Sequence, residues 1–76
     1  MITVKVCSKS SGKPLKGVKV ALGISATFEG GVTKGQYTDS NGEAHFDVRP
    51  NDGKVFVDGS TKYEGHLSGR VVVYVS

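Results

Sequence analysis

In the second half of the chain, His45 and His66 could pair with Asp47 or Glu64 as metal ligands or as groups that transfer protons. Either role needs an imidazole oriented by a carboxylate. His45 and Asp47 alternate in a segment of extended pattern, so they share one strand face, as outward polar residues of any half-solvated strand do. Nothing in the spacing brings the two histidines together. The sequence therefore predicts no metal ligands and no catalytic residues among them.

A second polar group begins like a calcium-binding loop, with Asp39, Asn41 and Glu43 at alternate positions. A calcium loop places its glycine at position six and a bidentate glutamate at position twelve. Ala44 and Pro50 occupy those places here. We therefore expect a structural turn in which the Asp39 carboxylate accepts backbone N–H hydrogen bonds.

The single cysteine, Cys7, has no partner for an internal disulfide and no spacing that suggests a zinc site. Nothing near it marks a thiol catalyst, and no glycine-rich segment precedes a helix to bind phosphate. We expect no cofactor and no enzymatic activity.

Charge and aromatic residues supply the candidates for partner contact. Five lysines precede the first acidic residue, Glu29, in a chain of net charge +3: Lys5, Lys9, Lys13, Lys16 and Lys19. They lack the interleaved arginines and aromatic residues of a nucleic-acid surface, so a solvated strand face is favoured over binding of nucleic acid.

The aromatic candidates are Tyr37, Tyr63, Phe28 and Phe56. Phe56 alternates with Val55 and Val57, so either Phe56 or the two valines face the core. The residues predicted to contact a partner are Phe56, Tyr63, Tyr37, Lys5 and Lys19.

Alternating apolar residues predict the strands that would carry these side chains. Three alternating sets are expected to face the core: Ile2, Val4 and Val6; Val18, Val20 and Leu22; Ala44, Phe46 and Val48. Ile24, Ala26 and Phe28 continue the alternation less regularly toward a glycine-rich segment. The apolar run Val71–Val75 predicts a strand covered on both faces.

Turn residues separate these strands. Asn41-Gly42 and Asp58-Gly59 each predict a β-hairpin, the first through a type I′ turn, because both residues of such a turn need positive φ. We expect further loops at residues 10–14, 49–53 and 65–69, where glycine, proline and small polar residues cluster.

These signals predict the fold class. A chain of 76 residues with 11 glycines and no amphipathic helical stretch suits one domain, residues 1–76, built as a small all-β, immunoglobulin-like sandwich. We expect six to seven mostly antiparallel strands. The alternating start, Met1–Val6, is unlike a signal peptide, and no apolar stretch is long enough to cross a bilayer, so membrane insertion is not expected.

Two segments, Gly12-Lys13-Pro14-Leu15-Lys16-Gly17-Val18 and Thr38-Asp39-Ser40-Asn41-Gly42, resemble the carboxypeptidase regulatory-like domain family, whose members are transthyretin-like (prealbumin-like) sandwiches. The resemblance implies a seven-stranded, non-catalytic module of a surface or secreted protein, with an extracellular or cell-envelope location. It also implies that Tyr63 takes the place of the aromatic residue that follows a strand in that family. The segment 30–35 and the compact C-terminal half depart from the family pattern.

The function expected from these features is a non-enzymatic module that makes a protein or carbohydrate contact or spaces neighbouring domains. An alternative is a structural or assembly protein, of the kind found in phage or injection machines, that oligomerises through edge strands; the chain is accordingly either a monomer or an edge-strand oligomer. A small enzyme or metal-dependent binder using His45, Asp47 and His66 is the third alternative.

Overall fold

A computed structural model describes residues 1–25 and 31–76 of the chain. Eight strands follow one another within these residues: β1 Ile2–Ser8, β2 Lys19–Ile24, β3 Gly31–Val32, β4 Gln36–Tyr37, β5 Glu43–Phe46, β6 Asn51–Val57, β7 Ser60–Leu67 and β8 Gly69–Val75. The predicted all-β class is confirmed. The number of strands differs from the six to seven expected, because two-residue strands β3 and β4 pair separately with β2.

The strands form two sheets. The small sheet has the order β5-β1-β8, and the large sheet has the order β3-β2-β6-β7, with β4 also paired to β2. Every pairing is antiparallel except that of β1 with β8, so the prediction of mostly antiparallel strands is confirmed.

One hydrophobic core contains side chains from both sheets. The alternation predicted from the sequence is confirmed by the buried apolar residues of β1, β2 and β5: Ile2, Val4 and Val6; Val20 and Leu22; Ala44 and Phe46. Val18 and Val48, also predicted to face the core, lie just outside β2 and β5 and are partly buried against it. The buried members are Ile2, Val4, Val6, Val20, Leu22, Ala44, Phe46, Val55, Val57, Leu67, Val71 and Val73. Leucine, valine and isoleucine side chains each contribute about 1.5–3 kcal/mol when fully buried, which makes this cluster the main source of stability.

A buried threonine, Thr38, is hydrogen-bonded to the segment that leads into β2. The Thr38 hydroxyl donates a hydrogen bond to the Leu15 carbonyl oxygen at 2.6 Å and accepts one from the Val18 N–H at 2.9 Å. Only 4% of Thr38 is exposed, so both bonds are shielded from water. Thr38 therefore fixes the approach of the chain to β2.

The hairpin predicted at Asp58-Gly59 is confirmed. Val57 and Ser60 are paired residues of β6 and β7, which leaves a two-residue loop between them. Both loop residues have positive φ, 50° for Asp58 and 84° for Gly59, as a type I′ turn requires.

The hairpin predicted at Asn41-Gly42 is wrong in type and in pairing. The turn runs from Asp39 to Gly42, whose N–H donates to the Asp39 carbonyl oxygen at 2.9 Å. Gly42 has a φ of 74° but Asn41 is not among the positive-φ residues, so the turn is not type I′. It leads from β4 in the large sheet to β5 in the small sheet instead of joining two paired strands.

Two predicted loops are partly strand. Residues 51–53 begin β6, and β7 continues to Leu67, because the hairpin holds these residues in register with one another. Ser68 alone separates β7 from β8, and the chain passes there from the large sheet to the small sheet. The less regular alternation noted at Ala26 and Phe28 lies outside the described residues.

The expectation that Val71–Val75 is covered on both faces is wrong. Among the described strands, β8 pairs only with β1 and lies at an edge of the small sheet. Val71 and Val73 are buried, whereas Val72 and Tyr74 are 43% and 58% exposed. No helix long and apolar enough to cross a membrane is found in the described part of the chain.

Candidate functional site

Three of the predicted contact residues lie on the outer face of the large sheet. Lys19 is paired with Tyr37, and Ala21, two residues along β2, is paired with Phe56. Directly paired residues project to the same side of a sheet, and positions two apart on a strand do the same. The interleaved residues face the core, so Lys19, Tyr37 and Phe56 project away from it. The sequence named these residues separately, and sheet pairing brings them together.

The structure decides the orientation that the sequence left open at Phe56. Val55 and Val57 are buried in the core, and Phe56 is half-buried on the opposite face. Its ring lies over β2, because a Cβ atom built at Gly23 would be 2.8 Å from the Phe56 Cε2 atom. The absence of a side chain at Gly23 therefore makes room for the ring.

An open groove of about 670 Å³ lies along this face. Its floor is apolar, with Ala21, Val32 and Phe56, and its charged side chains are Lys19 and Asp58. Val32 is exposed over 68% of its surface, as is Tyr37 on the neighbouring strand β4. The groove can thus accept an apolar group beside a charged one.

The other two predicted contact residues lie elsewhere. Tyr63 is half-buried, packs against the core and donates a hydrogen bond through its hydroxyl to the His66 carbonyl oxygen at 3.2 Å. Lys5 projects from the outer face of the small sheet, where it is paired with Glu43 and Val72. Lys5 and Lys19 therefore do not form one basic surface.

His45 is surrounded by carboxylates that the sequence analysis did not pair with it. Its Nε2 atom is 3.9 Å from an Asp39 carboxylate oxygen and 4.0 Å from one of Glu43. Glu43 and His45 share the outer face of β5, and the turn after Asp39 brings that residue back beside them. The combination of this turn with the Glu-x-His alternation is the sequence signal that was missed.

The Asp39 carboxylate accepts two backbone hydrogen bonds, from Glu43 N–H at 3.0 Å and Asn41 N–H at 2.9 Å. The prediction that Asp39 caps its own turn is confirmed. These bonds stabilise the ionised carboxylate, so the pKa of Asp39 is lowered, with the bond from Glu43 as the largest cause.

The second histidine pairs with Asp52 and not with Asp47 or Glu64. The His66 Nδ1 atom is 2.9 Å from an Asp52 carboxylate oxygen, because Asp52 and His66 are directly paired on β6 and β7. Both side chains are largely exposed. His66 on β7 and His45 on β5 lie on different sheets.

Cys7 is buried, with 4% of its surface exposed. It forms an isolated backbone bridge with Pro14 and is paired with Tyr74 across β1 and β8. Burial makes this thiol inaccessible to a large substrate.

No protein-family model, curated protein or solved structure matches this chain.

Proposed function

We propose that this chain is a non-enzymatic, transthyretin-like β-sandwich module of a surface or secreted protein, and that it binds a protein partner through the outer face of the large sheet. The observation that carries this proposal is an open groove lined by Lys19 and Phe56, with the exposed Tyr37 directly paired to Lys19 on the same face of the sheet. The segments 12–18 and 38–42, with their resemblance to carboxypeptidase regulatory-like domains, support the non-catalytic role and the location.

The partner segment is one that places an apolar side chain in the groove and a carboxylate near Lys19. The groove has an apolar floor at Ala21, Val32 and Phe56, which favours desolvation of an apolar group. Tyr37, which is paired with the groove residue Lys19, has 68% of its surface exposed, and tyrosines are enriched among residues that dominate binding energies. The excess of positive charge on the chain favours an acidic partner.

The test is a selection of peptides from a random displayed library on the immobilised chain, followed by affinity measurements on each selected peptide. Tyr37→Ala is expected to weaken binding about tenfold or more, a loss typical of a dominant contact. Tyr74→Ala is the matched control, because Tyr74 is a comparably exposed tyrosine on the small sheet.

The proposal fails if selected peptides are equally sensitive to both substitutions, or if no peptide is selected. Binding to a glycan array with the same dependence on Tyr37 would replace the protein partner by a carbohydrate. Turnover of ester or peptide substrates that is lost in His45→Gln or His66→Gln would overturn the non-enzymatic role.

A second candidate function, an assembly protein that oligomerises by edge pairing, is favoured by β8. Val72 and Tyr74 are exposed on this edge strand although they belong to the most apolar run of the chain. Exposed apolar edge strands pair readily with other chains. Two copies joined at β8 would extend the small sheet across the interface.

Sedimentation velocity over a wide range of concentration tests the assembly function. An assembly protein should sediment as a dimer or larger species, and Tyr74→Lys should return it to a monomer because edge lysines oppose pairing. Tyr37→Lys serves as the control on the other sheet. A wild-type chain that stays monomeric at millimolar concentration contradicts this second candidate.

A further inference from the structure

Two side chains on the outer face of the small sheet, and one in the turn that precedes β5, place one metal-binding atom each close together. The groups are the Asp39 carboxylate, the Glu43 carboxylate and the His45 imidazole, whose ligand atoms lie within 4.8 Å of one another. This set differs from an exposed acidic cluster because one ligand is an imidazole nitrogen, which transition metals prefer and calcium does not.

Each of these groups is held at its other polar atom by a hydrogen bond. His45 Nδ1 is 2.8 Å from the Thr3 hydroxyl oxygen, and Glu43 accepts a hydrogen bond from the Arg70 guanidinium at 3.3 Å. One Asp39 oxygen accepts the two backbone hydrogen bonds of the turn. A second partner of this kind fixes the orientation of a metal ligand and leaves its remaining atom free.

We propose that Asp39, Glu43 and His45 form a site for a divalent transition metal of the Zn²⁺ type. Nitrogen and carboxylate oxygen together suit Zn²⁺, and three protein ligands leave its fourth position for water. Binding through Nε2 requires the imidazole proton on Nδ1, where the Thr3 hydroxyl oxygen accepts it.

The distances suit one bound ion after a small movement. With ligand distances of about 2.0–2.2 Å, two ligands of a tetrahedral Zn²⁺ lie about 3.3 Å apart. The His45 Nε2 atom is 3.9 and 4.0 Å from the two carboxylate oxygens. Rotation of partly exposed side chains closes such a gap.

The two carboxylates supply the negative charge of the site, and the cationic side chains of Arg70 and Lys5 are their neighbours. Glu43 and His45 are directly paired with Lys5 and Thr3 on β1. The pairing of β5 with β1 therefore fixes the spacing between the two ligands. This site lies on the other sheet from the proposed partner groove, and neither proposal depends on the other.

The test uses the untagged full chain and ZnCl₂ alone. Imidazole ¹⁵N–¹H spectra of the wild-type chain should show the His45 Nε2 resonance shifting on addition of Zn²⁺, with His66 unchanged. Calorimetric titration should show His45→Gln weakening Zn²⁺ binding by at least about tenfold. His66→Gln is the matched control, because His66 has one neighbouring carboxylate, and it should bind as the wild type does.

The proposal is overturned if Zn²⁺ leaves the His45 resonance unmoved, or if His66 is the residue that shifts. Retention of wild-type affinity in His45→Gln would also overturn it, and would indicate binding elsewhere, for example at Cys7. The spectrum of the wild-type chain decides the question even if a variant does not fold.

Discussion

Replacement of Gly53 by alanine should destabilise the fold strongly, because strands β2 and β6 approach closely at this position. A Cβ atom at residue 53 would overlap the carbonyl oxygen of Gly23 and lie 3.2 Å from the Leu67 Cδ1 atom. That carbonyl belongs to the backbone of a paired strand, and Leu67 is fully buried. Neither can move without disturbing the ladder or the core.

Gly23→Ala is the matched comparison within the same pair of strands. Its Cβ atom would be 2.8 Å from Phe56 Cε2, which is the far end of a half-buried ring on the outer face. Rotation of that ring costs about 0.5–1.5 kcal/mol. Gly53→Ala should cost about 1–3 kcal/mol as an overpacked core site does, out of a total of about 4–11 kcal/mol for a chain of this length.

Urea denaturation followed by far-ultraviolet circular dichroism measures the difference. With a denaturant slope of about 1 kcal/mol per molar urea, Gly53→Ala should lower the midpoint by about 1–3 M. Both substitutions reduce the entropy of the unfolded chain alike, so their difference isolates the packing cost. Equal midpoints for Gly23→Ala and Gly53→Ala would refute the account of this close approach.

Three further predictions concern the core, the buried threonine and the Asp39 turn. Leu22→Ala should lower the free energy of unfolding by about 2–5 kcal/mol, whereas Val72→Ala on the exposed face should change it by less than about 0.5 kcal/mol; urea midpoints for the pair check this. Thr38→Val should cost about 1–3 kcal/mol, because it leaves the Val18 N–H without its acceptor, and amide hydrogen exchange at Val18 should accelerate. The pKa of Asp39 is lowered in the fold, so its contribution is complete above the ordinary aspartate pKa of about 3.9 and is lost as the pH falls through the folded-state value. The stability difference between wild type and Asp39→Asn, measured with a chelator present, should therefore shrink below about pH 4; a difference that stays constant down to pH 2 would contradict this.

The strands that the sequence predicted well are those with a strict alternation. Ile2, Val4 and Val6 are all fully buried, as their period of two required. The Asp58-Gly59 hairpin was also predictable, because the positive φ of both residues is a local preference of the backbone. Such features depend on residues that are adjacent in the sequence, so they can be predicted without the rest of the fold.

The face of Phe56 and the exposure of β8 were not predictable in the same way. Val71–Val75 is apolar throughout, yet its second face is open because the core lies on one side of the small sheet, and Val72 and Tyr74 project from the other side. Whether an apolar residue is covered depends on the order of strands in the sheet and on the facing sheet. Alternation gives the two faces of a strand but does not say which strands lie beside it.

The sequence by itself determined the all-β class, the alternating core positions and the turn at Asp58-Gly59, because these follow from side-chain period and local backbone preference. Only the tertiary structure gathered Lys19 and Phe56 around one groove and brought Asp39 to His45. Those juxtapositions depend on strand register and on the passage of the chain between sheets, which long-range packing decides.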